Sequence, residues 1–506
     1  MSQHDYDIAN GTGAAVRVDI NNALEAIQTN NSGAEGDLPS TKALMFFADT
    51  ENDLMKIRNE ANNNFINLFT LAGGPAFPID GTINSVNIGK GANSVISNTC
   101  LGHNALDAAV SGADNTAIGN ATLTALTSGG ANTMVGSNAG LALTEGSSNV
   151  AVGVNSLFTA TTAVNNTAVG RSALKLNTGN SNTGVGYFAL GTNAGGTNNT
   201  ALGVNALLAN TSGSNNVAVG YQALDANTSG QSNVAVGSES QTATTSGSNN
   251  SSLGHNSLST CDTGIGNVAI GFAAARLQTS ANYNVAIGYD VLDANETGTG
   301  IVAVGFNALG ASTGSNSTAV GYQALLACTS GVDNVAVGMD AGKAIETANN
   351  NVAIGKAANT TTTSGGNVIV IGSAAQPSSA SVANEITLGD SNIQTLRCNV
   401  QTISSLSDER DKTDIVDLAD GLNIINALKP RKFTWAMREA SANDGKTDIG
   451  FIAQEIDTAL GDKNDYISAV YKNNPDKLEA SFGRFMPILV KAVQELSAKV
   501  TALEIG

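Results

Sequence analysis

Charge is what this chain lacks through most of its length. Of 506 residues, the 311 positions from 90 to 400 hold only 7 basic and 14 acidic side chains. Residues 1–89 hold 4 and 11, and residues 401–506 hold 13 and 17. The net charge of −18 and the want of any basic run exclude a phosphate-binding footprint, so no nucleic-acid partner is expected. No stretch approaches the length of apolar sequence that spans a bilayer, so no membrane insertion is expected. Met1 to Asp5 lacks the basic start and apolar run of a signal peptide, an expectation against secretion by that route. Four cysteines (Cys100, Cys261, Cys328 and Cys398) form no close pair, so they read as small buried residues rather than a disulfide or metal framework. Asn10 to Gly13 is glycine-rich, but no Lys-Ser/Thr follows it, which excludes a phosphate loop. No cofactor and no metal are expected.

What is there is a repeat. A glycine recurs 18 times from Gly102 to Gly389, every 17 residues except for two steps of 16. The residue before it is Val, Ile or Leu in all 18 units. Ala stands two before it in 12 units, Asn four before it in 14, and Leu four after it in 11. Frequent Gly, Asn, Thr and Ser argue against helix and for short strands between turns. Insertions are nearly absent, so each unit stacks directly on the last. The expected fold is mainly β, a trimeric parallel β-roll or β-helix solenoid. A small N-terminal α+β segment precedes it, and a C-terminal α+β domain ending in a coiled-coil helix follows. The domains expected are 1–80, 81–400 with about 18 coils, and 401–506. Adjacent strand residues face opposite ways. The expectation is that the aliphatic column before the glycine fills the coil and the Ala column lies against a second copy. Stacking at about 4.8 Å per coil gives a rod roughly 80 Å long, whose lower end is an open sheet edge unless covered. The repeat, Asn-Thr/Val-Ala-Val/Ile-Gly-x-x-Ala-Leu, resembles the head repeats of YadA-like trimeric adhesins, and that resemblance implies a parallel β-roll associating as a trimer.

One column admits two readings. The position after the glycine holds Tyr187, Tyr221, Phe272, Tyr289, Phe306 and Tyr322, with His103 and His255 at the same place. It is either a stacking surface for a sugar or an aromatic ladder packing coil on coil, and the ladder is the commoner use of aromatics. The two histidines could ring a metal on a threefold axis, but no carboxylate or Cys accompanies them at a fixed spacing. Asp290, Asp293 and Glu296 are the densest acidic group of the repeat. Polysaccharide cleavage needs two carboxylates at a fixed separation, whereas acidic groups on turns mostly serve solubility.

At Ser407-Asp408-Glu409-Arg410-Asp411-Lys412 the chain changes from repeat to ordinary charged sequence. A Ser hydroxyl needs a base, and a nearby Lys can be one. The plain alternative is that Ser407 caps a helix and Lys412 pairs with Asp408. Further on lie Leu428-Lys429-Pro430, Phe433-Thr434-Trp435, Ile449 to Glu455 and Pro487 to Leu496. In order and spacing these segments resemble the intramolecular chaperone domain that ends many phage tail fibres and tailspikes, the S74 peptidase family. The resemblance implies a trimeric chaperone that assembles the upstream β-structure and is released by self-cleavage. It implies Ser407 as nucleophile, Lys412 as base and the Leu406–Ser407 bond as the one cut, with Asp408 and Arg410 orienting the loop. Met486, Leu489, Val493, Leu496, Val500 and Leu503 alternate spacings of three and four, a coiled-coil seam or one face of a helix on its own core.

Residues 1–80 do not repeat. Asp19 to Ile27 reads as a helix, and Leu44 to Phe47, Asp53 to Arg58 and Phe65 to Leu71 as strands. The segment resembles the N-termini of tail-fibre-like proteins of marine phages. The expectation is therefore a homotrimeric bacteriophage tail fibre in the virion, made in the host cytoplasm. Its partners would be a phage tail or baseplate protein at the N-terminus and a host-surface receptor, a glycan or outer-membrane protein. Its only catalysis would be one intramolecular cut. The alternatives are a tailspike depolymerase, a bacterial trimeric adhesin and, remotely, a membrane-tethered transcription factor.

Overall fold

The computed structural model describes residues 85–393, 395–397, 407–436, 444–472 and 478–505, and backbone strands at 32–33, 46–49, 54–58, 65–70 and 81–83. The chain divides into two units, residues 1–212 and 213–506.

The first unit begins with a small sheet. Ser32–Gly33 pairs in parallel with Phe46–Asp49, which pairs antiparallel with Leu54–Arg58, which in turn pairs antiparallel with Phe65–Thr70. The helix expected over 19–27 lies outside the described residues. A hairpin of Gly81–Ile83 and Val86–Gly89 follows. Val86–Gly89 then pairs antiparallel with the first coil strand, Thr99–Gly102. The first coil therefore has no bare lower edge: the hairpin covers it. From Thr99–Gly102 to Thr200–Leu202 each three- or four-residue strand pairs in parallel with the next, in register with the repeat. The second unit continues the pattern from Val217–Val219 to Ile386–Leu388. This is a parallel β-solenoid, mainly β as expected.

The inside of the coil differs from the expectation. The middle residue of nearly every coil strand is buried and its neighbours are half-buried or exposed: Ala151 points in, and Val150 and Val152 point out. So the Ala column lines the interior, and the aliphatic column before the glycine faces outward. The reason is volume. A 17-residue coil is narrow, and the Leu four after the glycine already fills it: Leu224 is fully buried together with Ala218, and a Cβ on Gly342, which stands at the Leu position, would lie 3.5 Å from the Ala336 Cβ. The pair compensates: where Met134 replaces the inward Ala, Gly140 replaces the Leu. A Cβ on Gly140 would stand 3.2 Å from the Met134 sulfur. Close packing of this kind favours a small residue at the middle of the strand, with Val370 accommodated there fully buried near the end of the repeat.

The repeating glycine is fixed twice over. Gly220 has φ +138°, a conformation costly for any L side chain. A Cβ there would also lie 2.4 Å from the Gly237 carbonyl of the next coil. The Asn column supplies the remaining backbone partners. Asn149 is buried; its Nδ2 donates to the Ala163 carbonyl (2.8 Å) and to Asn132 Oδ1 (3.1 Å), and its Oδ1 accepts from the Asn166 amide (2.9 Å). Buried amides satisfied on every side bind coil to coil without charge.

In the second unit the C-terminal part is α+β. Helix α1 is Leu422–Ala427, α2 Ala453–Leu460, α3 Asn464–Ile467 and α4 Met486–Ile505. Arg431–Thr434 and Thr447–Gly450 form an antiparallel hairpin, and Val470–Tyr471 pairs with Glu479–Ala480. Ile424, Ile456, Leu460, Ile467, Phe485 and Ile488 form the centre of this core.

Candidate functional site

The border stretch is shaped by one short helical turn. Glu409–Asp411 is a 3₁₀ helix. Its cap is Asp408, not Ser407: Asp408 Oδ1 accepts from the Arg410 amide at 2.9 Å. The same carboxylate takes the Arg410 guanidinium as a fork, with Nε at 3.0 Å and Nη2 at 2.6 Å. The Arg410 side chain and amide hold the Asp408 carboxyl below its usual range, so it is ionised at neutral pH and is no proton donor. The Lys412 amide closes the turn on the Glu409 carbonyl at 3.1 Å.

This turn sets residues 407 and 412 side by side. Lys412 Nζ donates to Ser407 Oγ at 2.7 Å and to the Ser407 carbonyl at 3.3 Å. Lys412 thus contacts Ser407, while Asp408 is occupied by Arg410. A hydroxyl and an amine within hydrogen-bond reach are the geometric minimum for a nucleophile and its base. Both side chains are exposed. Leu406, the residue on the other side of the expected cut, lies outside the described residues.

A contact with no counterpart in the motif reading holds the C-terminal domain together. Helix α1 has Gly421 at its N-cap and no side-chain cap of its own. Glu495 of α4 supplies one from 74 residues away: its carboxylate accepts from the Gly421 and Leu422 amides at 3.2 and 2.8 Å. The helices meet so closely that a Cβ on Gly421 would stand 2.5 Å from the Ala492 amide nitrogen. Composition could not have found this; only the pairing of a helix start without a cap and a carboxylate in Val493 to Leu496 hints at it. Helix α4 itself has two apolar faces. Ile488 and Ala492 are buried in the domain core, while Met486, Leu489, Val493, Leu496, Val500 and Leu503 are exposed.

The other candidates resolve into structure. His255 Nδ1 lies 3.0 Å from the Ser238 carbonyl, and the ring is tilted against Phe272 at 5.5 Å. Phe272, Tyr289, Phe306 and Tyr322 stack face to face, 4.9–5.7 Å apart, which is the aromatic ladder. Asp293 is held by a fork from Arg276 in the preceding coil, at 2.9 and 3.0 Å. Burial, then the Asp293 charge, raises the Asp290 carboxyl. Burial pushes the Cys261 thiol up to about 11, and Cys328 is raised for the same reason. Among the described residues no group of three His, Cys, Asp or Glu could hold a metal ion, and no helix is long and apolar enough to cross a membrane.

A family model, Peptidase S74, chaperone of endosialidase, matches residues 407–464. The match begins on Ser407. No curated protein and no solved structure matches the chain. With the β-solenoid of 17-residue repeats, the C-terminal match fits a tail-fibre or tailspike type of protein that carries an S74 chaperone.

Proposed function

We propose that the chain is a homotrimeric bacteriophage tail fibre whose C-terminal domain drives assembly and then cuts itself free. The observation that carries this is the 2.7 Å Lys412–Ser407 hydrogen bond at the first residue of the matched segment. In the reaction Ser407 Oγ adds to the Leu406 carbonyl carbon while the Lys412 amine takes the hydroxyl proton. The C–N bond to Ser407 then breaks, and the proton passes to the leaving nitrogen. The resulting ester is hydrolysed by water, freeing a fragment that begins at Ser407. Asp408 and Arg410 are positioning residues, locked to each other and holding the turn.

The family implies a homotrimer. The outward seam of α4, with knobs at alternating spacings of three and four, supports three such helices meeting in a coiled coil. A register clamp has a physical purpose here, because near-identical coils would pair almost as well one repeat out of step. Once the clamp is released, the folded fibre cannot retrace its path, and its stability becomes kinetic. The mature protein presents its surface to a host-cell glycan or outer-membrane protein, with the N-terminal segment on the tail or baseplate. It belongs to the virion and is made in the host cytoplasm.

Ser407→Ala and Lys412→Ala are predicted to leave the chain uncut, and Asp408→Asn to slow cutting without abolishing it. N-terminal sequencing of the products after expression checks this. Recovery from the Ser407→Ala protein of a fragment that starts at the substituted position would contradict the mechanism.

A further inference from the structure

The solenoid coils of the second unit carry one outward face that differs from the rest of their surface. In each coil three residues of that face stand in a row: the first and third of the strand and the one after the glycine. In one coil they are Val268, Ile270 and Phe272, and in the next Val285, Ile287 and Tyr289. Parallel pairing in register stacks these rows into three columns. In the five rows from Val268 to Met339 no position in the columns holds Asp, Glu, Lys or Arg, and the next row, Val352 and Ile354, ends in Lys356. In the first unit the same face is mixed: its first column holds Thr116, Thr133 and Thr167, and its third Asn120, Ser137 and Arg171.

We infer that this face of the second unit is the seam along which copies of the chain join. The inference rests on the trimer reading above and adds the surface to it. A single stripe turned towards a threefold axis meets the same stripe of both other copies.

Three features select a second copy as the occupant. The first is area. Ten large apolar residues on the stripe between 270 and 371 are each 36–49% exposed. Together they leave on the order of 900 Å² of side-chain surface, close to the ~800 Å² that a stable interface takes from each partner and above the largest patch of an ordinary monomer. The second is period. The columns repeat once per coil, about every 4.8 Å, and a partner stays in step over several coils only if it has the same repeat. This chain has it. The third is ring geometry. Tyr289 and Phe306 lie within 15° of parallel to their neighbours in the ladder, so their faces are used on one another. A sugar stacks on a free ring face. Ring edges instead suit interdigitation with aliphatic side chains such as Ile287 and Val304.

The test uses the full chain and reads mass in solution by light scattering. Ile270→Glu with Phe306→Glu is compared with Thr279→Glu with Thr313→Glu, on an exposed column elsewhere on the coils. The stripe pair is expected to lose the trimer or to lower sharply the temperature at which it dissociates in detergent, and the control pair to leave both unchanged. Where the stripe pair fails to fold, Tyr289→Cys in a Cys398→Ser background decides. Mild oxidation is expected to link chains through residue 289, and Thr279→Cys in the same background is expected not to. A trimeric parent with a trimeric stripe pair, or with no link through residue 289, overturns the seam and leaves the trimer standing. A monomeric parent overturns the trimer reading itself.

Discussion

Asn233 shows how a single side chain serves two coils. Its Nδ2 donates to the Gly247 carbonyl at 2.8 Å, and its Oδ1 accepts from the Asn250 amide at 3.0 Å. Asn233→Leu would strand both backbone groups in the interior, at about 1–3 kcal/mol each. The predicted result is a clear fall in the urea midpoint, read by circular dichroism. Leu224→Ala empties the same narrow interior and is predicted to cost about 2–5 kcal/mol. Cys261, with its thiol pushed up to about 11 by burial, stays protonated at pH 8. It is predicted to remain unlabelled by iodoacetamide in the native protein and to label on unfolding, as peptide mass mapping would show.

Among the elements, the coil strand was the most legible in sequence and its orientation the least. Period and glycine were plain because every coil needs a glycine where Gly220 has a positive φ and no room for a Cβ. Which side of the strand faced inward was not, because both columns are apolar. The choice depends on Leu224 filling the same interior, a fact of three-dimensional volume. The Ser407–Lys412 pairing was legible because six residues and one turn bring it about. The Glu495 cap on α1 was not, since it links positions 74 apart. Removing it by Glu495→Ala is predicted to cost about 0.5–2 kcal/mol in the C-terminal domain.

Among the described residues the same domain carries the ion pairs Lys463–Asp420 and Arg431–Glu455, each at 2.6 Å, beside Lys472–Asp457 at 2.7 Å. Hydrogen bonds from Lys463 and Arg431 depress the Asp420 and Glu455 carboxyls below their unfolded values. Their stabilisation is therefore present above the ordinary carboxylate range and is lost as pH falls through the lowered folded values. The amide ladder of the coils has no such term. Acidification is predicted to change the fluorescence of Trp435, the one tryptophan of the chain, before the β-sheet signal of the coils changes. Simultaneous loss of both signals would contradict this.

At the scale of the whole molecule, the sequence divides labour as it divides charge. A sparsely charged repeat builds a solenoid from hydrogen-bonded amides and small interior residues, and a charged domain follows a turn that sets a serine against a lysine. The central claim is that this turn releases the domain. Intact mass of the wild-type chain after expression tests it most directly. Two products that meet between Leu406 and Ser407 are expected, the upstream one remaining assembled. A single species at the full 50.9 kDa, unchanged on prolonged incubation of the assembled protein, would contradict it.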